Sequence, residues 1–405
     1  LLMNGYDQEM VPDDIQPYIQ SGVLNTDEIT VSQSNPPAYL ASVLAENPNL
    51  ITLKGALYSG RFISVFPGVM SARMYLKLQN DKSQKAIEKY AEPLGTLDWL
   101  MGGEYPQVTL DKAWELLLCN HPHDSICGVS IDDVHSDMEA RTRDFHFLVD
   151  DAIERGMANL ARRIDTSKMD KENFFVFNPA PYTRDEVVTV GGDAMFVKDI
   201  PAFGYKPVGA KVDEKVTVES NVIKNSKLEV TINDNGTVDL LHLATGKVYK
   251  GLGAIKDAGD AGDEYNYSYP DTDKFFYSTD QDVKVDFVSV QDAAVEVEIS
   301  CDMLVPISVT ADRKQRSAET SVMPIRTRVR VEAGADVLKF KTTIKNTVKD
   351  HIVYALFPTG IETQTAFAGS PFDVVERPIH IDEYDESMIP ENVRKVIVGA
   401  REAKP

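Results

Sequence analysis

The sequence predicts a multidomain α+β chain: the end of an α/β barrel, a three-helix bundle, then a large all-β sandwich region. Three observations predict it. Residues 1–65 mix short apolar runs with one helical stretch, as where strands and helices alternate. Residues 66–170 repeat apolar side chains at helical spacing. From 171 to 405, short runs alternate apolar and polar residues between turn signals. At roughly 100–200 residues per domain, 405 residues suit such a division.

The chain opens Leu1-Leu2-Met3-Asn4-Gly5, an apolar run closed by a turn pair. That pattern reads as a buried strand entering a loop, and predicts that a substantial N-terminal part precedes it. Ile29-Thr30-Val31 and Leu50-Ile51-Thr52-Leu53 are further short strand candidates, and Pro36-Pro37 starts a helix through Leu44. In the middle region Ser71 to Glu92 is rich in helix formers and is expected to stop at Pro93. Thr109 to Cys119 is a second helix. The third begins at Ser130, whose spacing from Asp133 suggests a capping box, and keeps one apolar face from Val134 to Ile164. Charged residues from Arg162 to Asn173 mark the domain boundary. Strands are then expected at Leu228–Ile232, Val283–Val290, Val295–Ile299, Thr327–Val331, Val337–Ile344 and Ile352–Phe357, with turns at Asn235-Gly236 and Thr245-Gly246.

Bulk properties narrow the function. Hydrophobic residues make up 43% and charged residues 26%, an ordinary globular balance. The net charge of −21 would repel a phosphate backbone, which argues against nucleic acid, and suits a neutral ligand such as a sugar. A charged surface also serves solubility alone. Three cysteines imply no disulfide framework, and a cytoplasmic location fits free thiols. No apolar run of ~18 residues is present, so no membrane span is expected.

Three clusters could carry chemistry. Asn120-His121-Pro122-His123-Asp124-Ser125-Ile126-Cys127-Gly128 lies between two predicted helices. Histidine nitrogen and aspartate oxygen suit a metal or sugar hydroxyls, although such residues also simply cap helix ends. Asn4-Gly5-Tyr6-Asp7-Gln8 follows the opening strand, where barrel enzymes place catalytic groups. Taken alone, a turn-forming Asp7 is the simpler reading. Asp260-Ala261-Gly262-Asp263-Glu264-Tyr265-Asn266-Tyr267-Ser268-Tyr269-Pro270 combines acids and tyrosines, as a sugar site does; a solvated loop or a calcium site are the alternatives. Ser71, Arg73, Lys77 and Asn80 read as a solvated helix face, and Arg326, Arg328 and Arg330 as an exposed strand face opposite acids. His135 and His146 read as structural.

Taken together, these clusters resemble glycoside hydrolase family 38 α-mannosidases, especially the bacterial branch, over nearly the whole chain. Leu2–Asp7 looks like the strand carrying the acid/base, and Asn120–Gly128 resembles the family's His-Asp signature. Val176-Phe177-Asn178-Pro179 looks like the entry to the β region, and Gly262–Ser268 resembles a loop reaching back to the active site. The resemblance implies one divalent metal, usually zinc, held by two His and two Asp. It makes His123 the last of those ligands, Asp124 a hydrogen-bonding partner of the sugar, and Asp7 the acid/base. Tyr265 and Tyr267 would shape the site. The nucleophilic Asp and the other metal ligands would lie in the N-terminal part. The implied reaction is retaining hydrolysis of an α-mannoside, and large relatives often form homodimers. Hydrolysis of mannosylglycerate is an alternative within the same family. A non-catalytic carbohydrate-binding β-sandwich is an alternative outside it.

Overall fold

The computed structural model describes residues 10, 14–50, 66–165, 167, 174–208, 214–265, 267–370 and 373–379. Two compact units are distinguished: Leu1–Leu57 with Phe367–Arg377, and Tyr58–Ala366 with Pro378–Pro405. In the first, α1 (Gln16–Gln20) and α2 (Pro36–Ala45) are the described helices. Asn35 caps α2, its side chain accepting from the Ala38 amide at 3.0 Å, and Pro36 supplies a preset φ at the first position. Ile29-Thr30-Val31, expected as a strand, has no regular structure. Thr26 and Asn25 side chains accept the Ile29 and Val31 amides instead, taking the groups a ladder would use. Asp7, Leu1–Gly5 and Ile51–Leu53 lie outside the described residues.

In the second unit, α3 (Met74–Ala86) runs through a π-helical turn (Ile87–Ala91) into α4 (Glu92–Leu100). Pro93 therefore does not end the helix. It sits in the first turn of α4, and the wide turn before it accommodates a residue without an amide hydrogen. α5 (Gln107–Leu118), the short α6 (His123–Cys127) and the 32-residue α7 (Asp132–Arg163) follow. Ile87, Leu110, Ala113, Leu117, Phe145 and Val149 form the helical core. Gly156 lets α7 approach α4: a Cβ there would stand 2.9 Å from Leu94 Cβ. The capping box at Ser130 is not formed. Ile131 holds the cap position without a side-chain bond, and the Ser130 carbonyl lies 3.0 Å from His135 Nε2.

The β region opens with β1 (Phe174–Asn178), β2 (Arg184–Val190), β3 (Asp193–Ile200) and β4 (Gly204–Val208), paired β1 with β4 and β2 with β3. A meander follows: β5 (Thr217–Glu219), β6 (Val222–Lys224), β7 (Leu228–Ile232), β8 (Val238–His242) and β9 (Lys247–Leu252). After β10 (Ala254–Gly259) and β11 (Phe276–Tyr277) comes an antiparallel sheet of β12 (Val283–Val290), β13 (Ala294–Pro306), β14 (Thr320–Glu332) and β15 (Lys339–Ile344). β16 (His351–Leu356) returns to pair with β10. Alternation gives the two main sheets a common core: Leu228, Val230 and Ile232 of β7 meet Val295 and Val297 of β13 and Val329 and Val331 of β14. The opposite face carries the arginines. Arg328 pairs with Glu298 at 3.0 Å and Glu296 at 3.1 Å, and Arg326 with Asp302 at 3.1 Å. No helix of the described residues is long and apolar enough to cross a membrane.

Candidate active site

The His-Asp segment is held in place by α3. Arg73 Nε donates to the Gly128 carbonyl at 3.1 Å and Arg73 Nη2 to Asp132 at 2.6 Å. One turn on, Lys77 Nζ donates to the Cys127 carbonyl at 2.8 Å and to the Ala72 carbonyl. A further turn on, Asn80 Oδ1 meets His121 Nε2 at 2.7 Å. Residues 73, 77 and 80 share one helix face, so three polar side chains grip one segment. This corrects the expectation of a solvated face. The signal was present as spacing, but its partner lay some 50 residues away. Burial pushes the Lys77 ammonium down from its usual value and the His121 imidazole down as well. Gly128, at φ 83°, ends α6 in the left-handed region. Asn120, buried, bridges to α7: its amide donates to the Met138 carbonyl at 3.1 Å, and its oxygen accepts from Arg141 at 3.1 Å.

His123 and Asp124 stand at the start of α6. Their side chains are 91% and 59% exposed, and Nε2 lies 3.4 Å from Oδ1. His121, two residues earlier, is committed to Asn80, so the two histidines do not act together. Among the described residues, no group of three or more His, Cys, Asp or Glu is arranged to hold a metal. His123 and Asp124 by themselves supply two donor side chains.

The acidic-aromatic loop is closed upon itself. Asp260 Oδ1 accepts from the Gly262 amide at 2.8 Å and the Ser268 amide at 3.1 Å. Arg313 Nε donates to the Ala261 carbonyl at 2.7 Å, and its Nη2 to that of Gly262. Burial raises the Asp260 pKa, and it raises that of the Tyr267 phenol, which shares a hydrogen bond with Tyr354. One Asp260 oxygen is thus spent on its own loop. Tyr265 lies apart from Tyr267. Its carbonyl accepts from the Gly68 amide at 2.9 Å and its ring meets Phe66. The segment 66–73 therefore touches both motifs, Tyr265 at Gly68 and Gly128 at Arg73. A cleft of about 660 Å³ lies beside it, lined by Arg73, Asp260, Glu264, Tyr267, Arg313 and His351 among others.

Residues 64–160 match the family profile described as alpha mannosidase middle domain, and residues 223–395 match glycosyl hydrolases family 38 C-terminal domain. The chain belongs to glycoside hydrolase family 38. A putative mannosylglycerate hydrolase of Halalkalibacterium halodurans is 26% identical, over 93% of this chain and 53% of its own length. Human alpha-mannosidase 2C1 is 24% identical over 55% of this chain and 22% of its own length. The crystal structure of an alpha-mannosidase from Enterococcus faecalis superposes with a TM-score of 0.83 at 26% identity, covering 94% of this chain and 54% of that one. The chain thus spans about half the length of the bacterial relatives it matches. For this family 38 chain, the two conserved-domain matches fall on the helical and β parts that carry His123, Asp124, Tyr265 and Tyr267.

Proposed function

We propose that this family 38 chain forms part of a retaining, metal-dependent glycoside hydrolase acting on α-mannosides. The observation that carries the reading is the exposed His123-Asp124 edge, held by Arg73, Lys77 and Asn80 on the segment that also meets Tyr265. Asp124 would accept hydrogen bonds from sugar hydroxyls. Tyr265 and Tyr267 would wall the site, and Asp7 would protonate the leaving oxygen. A general acid of this kind needs a raised pKa, and in retaining enzymes it stands about 5–5.5 Å from the nucleophile. Zinc, if bound, would be held by His123 and would supply a positive charge that favours the sugar's hydroxyl oxygens.

Release of mannose from an aryl α-mannoside tests the reading in the protein that carries this chain. Activity should disappear on chelation and return with zinc, and Asp7→Asn should abolish turnover of a mannoside with a poor leaving group. Turnover indifferent to both treatments would reject it. The bacterial relative motivates a second arm with mannosylglycerate: preference for that substrate would assign the acidic aglycone. Sugar binding without turnover in any metal state would favour the carbohydrate-binding reading.

A further inference from the structure

A second polar cluster lies within the β region, beside the cleft. Asp257 of β10 is wholly buried and serves two partners. Arg316 Nη2 donates to Oδ1 at 2.6 Å, while Oδ2 lies 2.5 Å from His351 Nδ1. Arg316 is 4% exposed in its side chain, and its Nη1 also lies 3.9 Å from Asp273. Gly259 makes room for this arrangement, since a Cβ there would stand 2.6 Å from Arg316 Cδ. β10 pairs with β16 so that Gly259 faces His351, which brings acid and imidazole to adjacent strands.

The other ring nitrogen decides what His351 offers. Nε2 lies 3.2 Å from Asn346 Oδ1. That same oxygen accepts from the Val348 amide at 3.0 Å, closing a turn of the Asx type. The turn requires the oxygen, not the NH2, so Asn346 cannot rotate to offer a hydrogen to the ring. Both imidazole nitrogens therefore face side-chain oxygens, that of Asp257 and that of Asn346. The buried carboxylate fixes the orientation of the ring and is itself shared with Arg316. The His351 side chain is 5% exposed, and Asn346, the partner of its Nε2, is exposed and lines the cleft together with His351, Lys349 and Asp350.

We propose that His351 is a ligand-binding residue of the cleft, whose Nε2 forms a hydrogen bond with an oxygen of a hydroxylated or carboxylated small molecule in place of its contact with Asn346 Oδ1. Asp257 and Arg316 are its positioning residues. The proposal rests on the reading of this cleft as part of a sugar site.

The test uses the protein that carries this chain, with histidine labelled in nitrogen-15, titrated with methyl α-mannoside, which offers hydroxyls only, and with glycerate, which adds a carboxylate. Before addition, Asp257→Asn should alter the His351 Nδ1 signal. One probe or both should move the Nε2 resonance more than Nδ1. His351→Gln should weaken binding about tenfold, the loss of one hydrogen bond, while Asn346→Ala should leave it equal or tighter. The probe that binds identifies the oxygen source. Binding that leaves Nε2 unmoved, or that persists unchanged in His351→Gln, overturns the proposal and leaves the sugar site standing. Absence of binding by both probes overturns the site reading and the proposal together. The wild-type nitrogen spectrum decides the matter even if a variant fails to fold.

Discussion

Phe66 and Tyr265 meet edge to face, with ring centroids 5.2 Å apart and planes inclined at 66°. The Gly68 amide reinforces the contact by donating to the Tyr265 carbonyl at 2.9 Å. These two links tie the acidic-aromatic loop to the segment that precedes α3. Phe66→Ala should remove an aromatic pair worth about 0.5–1.5 kcal/mol. Hydrogen exchange at the amides of Tyr265 and Tyr267 should then accelerate while β13 and β14 stay protected. Unchanged exchange in the loop would show that its own hydrogen bonds suffice.

Lys77 holds two carbonyls, that of Ala72 just before α3 and that of Cys127 at the far end of the His-Asp segment. Lys77→Met keeps the length of the side chain and removes the charge. It should destabilise by about 1–3 kcal/mol, because two part-buried carbonyls lose a charged donor. Thermal unfolding measures the loss. A wild-type midpoint would mean that Arg73 and Asn80 hold the segment alone.

Gly156 and Leu94 offer a packing test. Gly156→Ala should cost about 1–3 kcal/mol, since the new methyl overlaps Leu94 Cβ at 2.9 Å. Leu94→Ala alone should cost about 2–5 kcal/mol. The double variant should be more stable than the sum predicts, because the added methyl fills part of the space vacated by leucine. Strict additivity in urea melts would place the two sites out of contact.

Asp260 carries the pH dependence. Burial is the largest cause of its raised pKa, ahead of the two amide hydrogen bonds that act in the opposite sense. A carboxyl whose folded pKa is raised adds stability below its unfolded value, near 3.9, and that contribution is lost as pH rises through the folded value. At neutral pH the buried charge is a net cost. Asp260→Asn keeps an oxygen for the Gly262 and Ser268 amides and removes the charge. Its melting point should exceed wild type at pH 7, and the difference should shrink as pH falls toward 4. A variant less stable than wild type at pH 7 would show that the charged acceptor outweighs its own burial.

Legibility in the sequence followed the range of the interactions. Leu228–Ile232 and Val283–Val290 were bounded correctly because alternation over five to eight residues is a local pattern. The long α7 was legible for the same reason. Local rules also misled where neighbours overrode them. Pro93 is a stop only for a regular α-helix, and Ser130 caps only if its side chain faces the helix. The sequence singled out His123, Asp124, Tyr265 and Tyr267 as candidates, but not the side chains that hold their segments. Asn80 and His121 are 41 positions apart, and Asp257 and His351 are 94 apart. No periodicity announces a pair that only tertiary folding assembles.

The π-helical turn at Ile87–Ala91 sets the phase of everything after it. Each residue of an α-helix advances about 100° around the axis. A deletion of one residue within the turn would restore regular winding and rotate α4 against α3 by about that angle. Leu94 would swing away from Gly156, and Asp98 away from Arg163 and Asn159, which it now meets at 2.8 Å each. The extra residue therefore works as a rotary offset: two registers along α7, one before the turn and one after, are satisfied by a single unbroken rod.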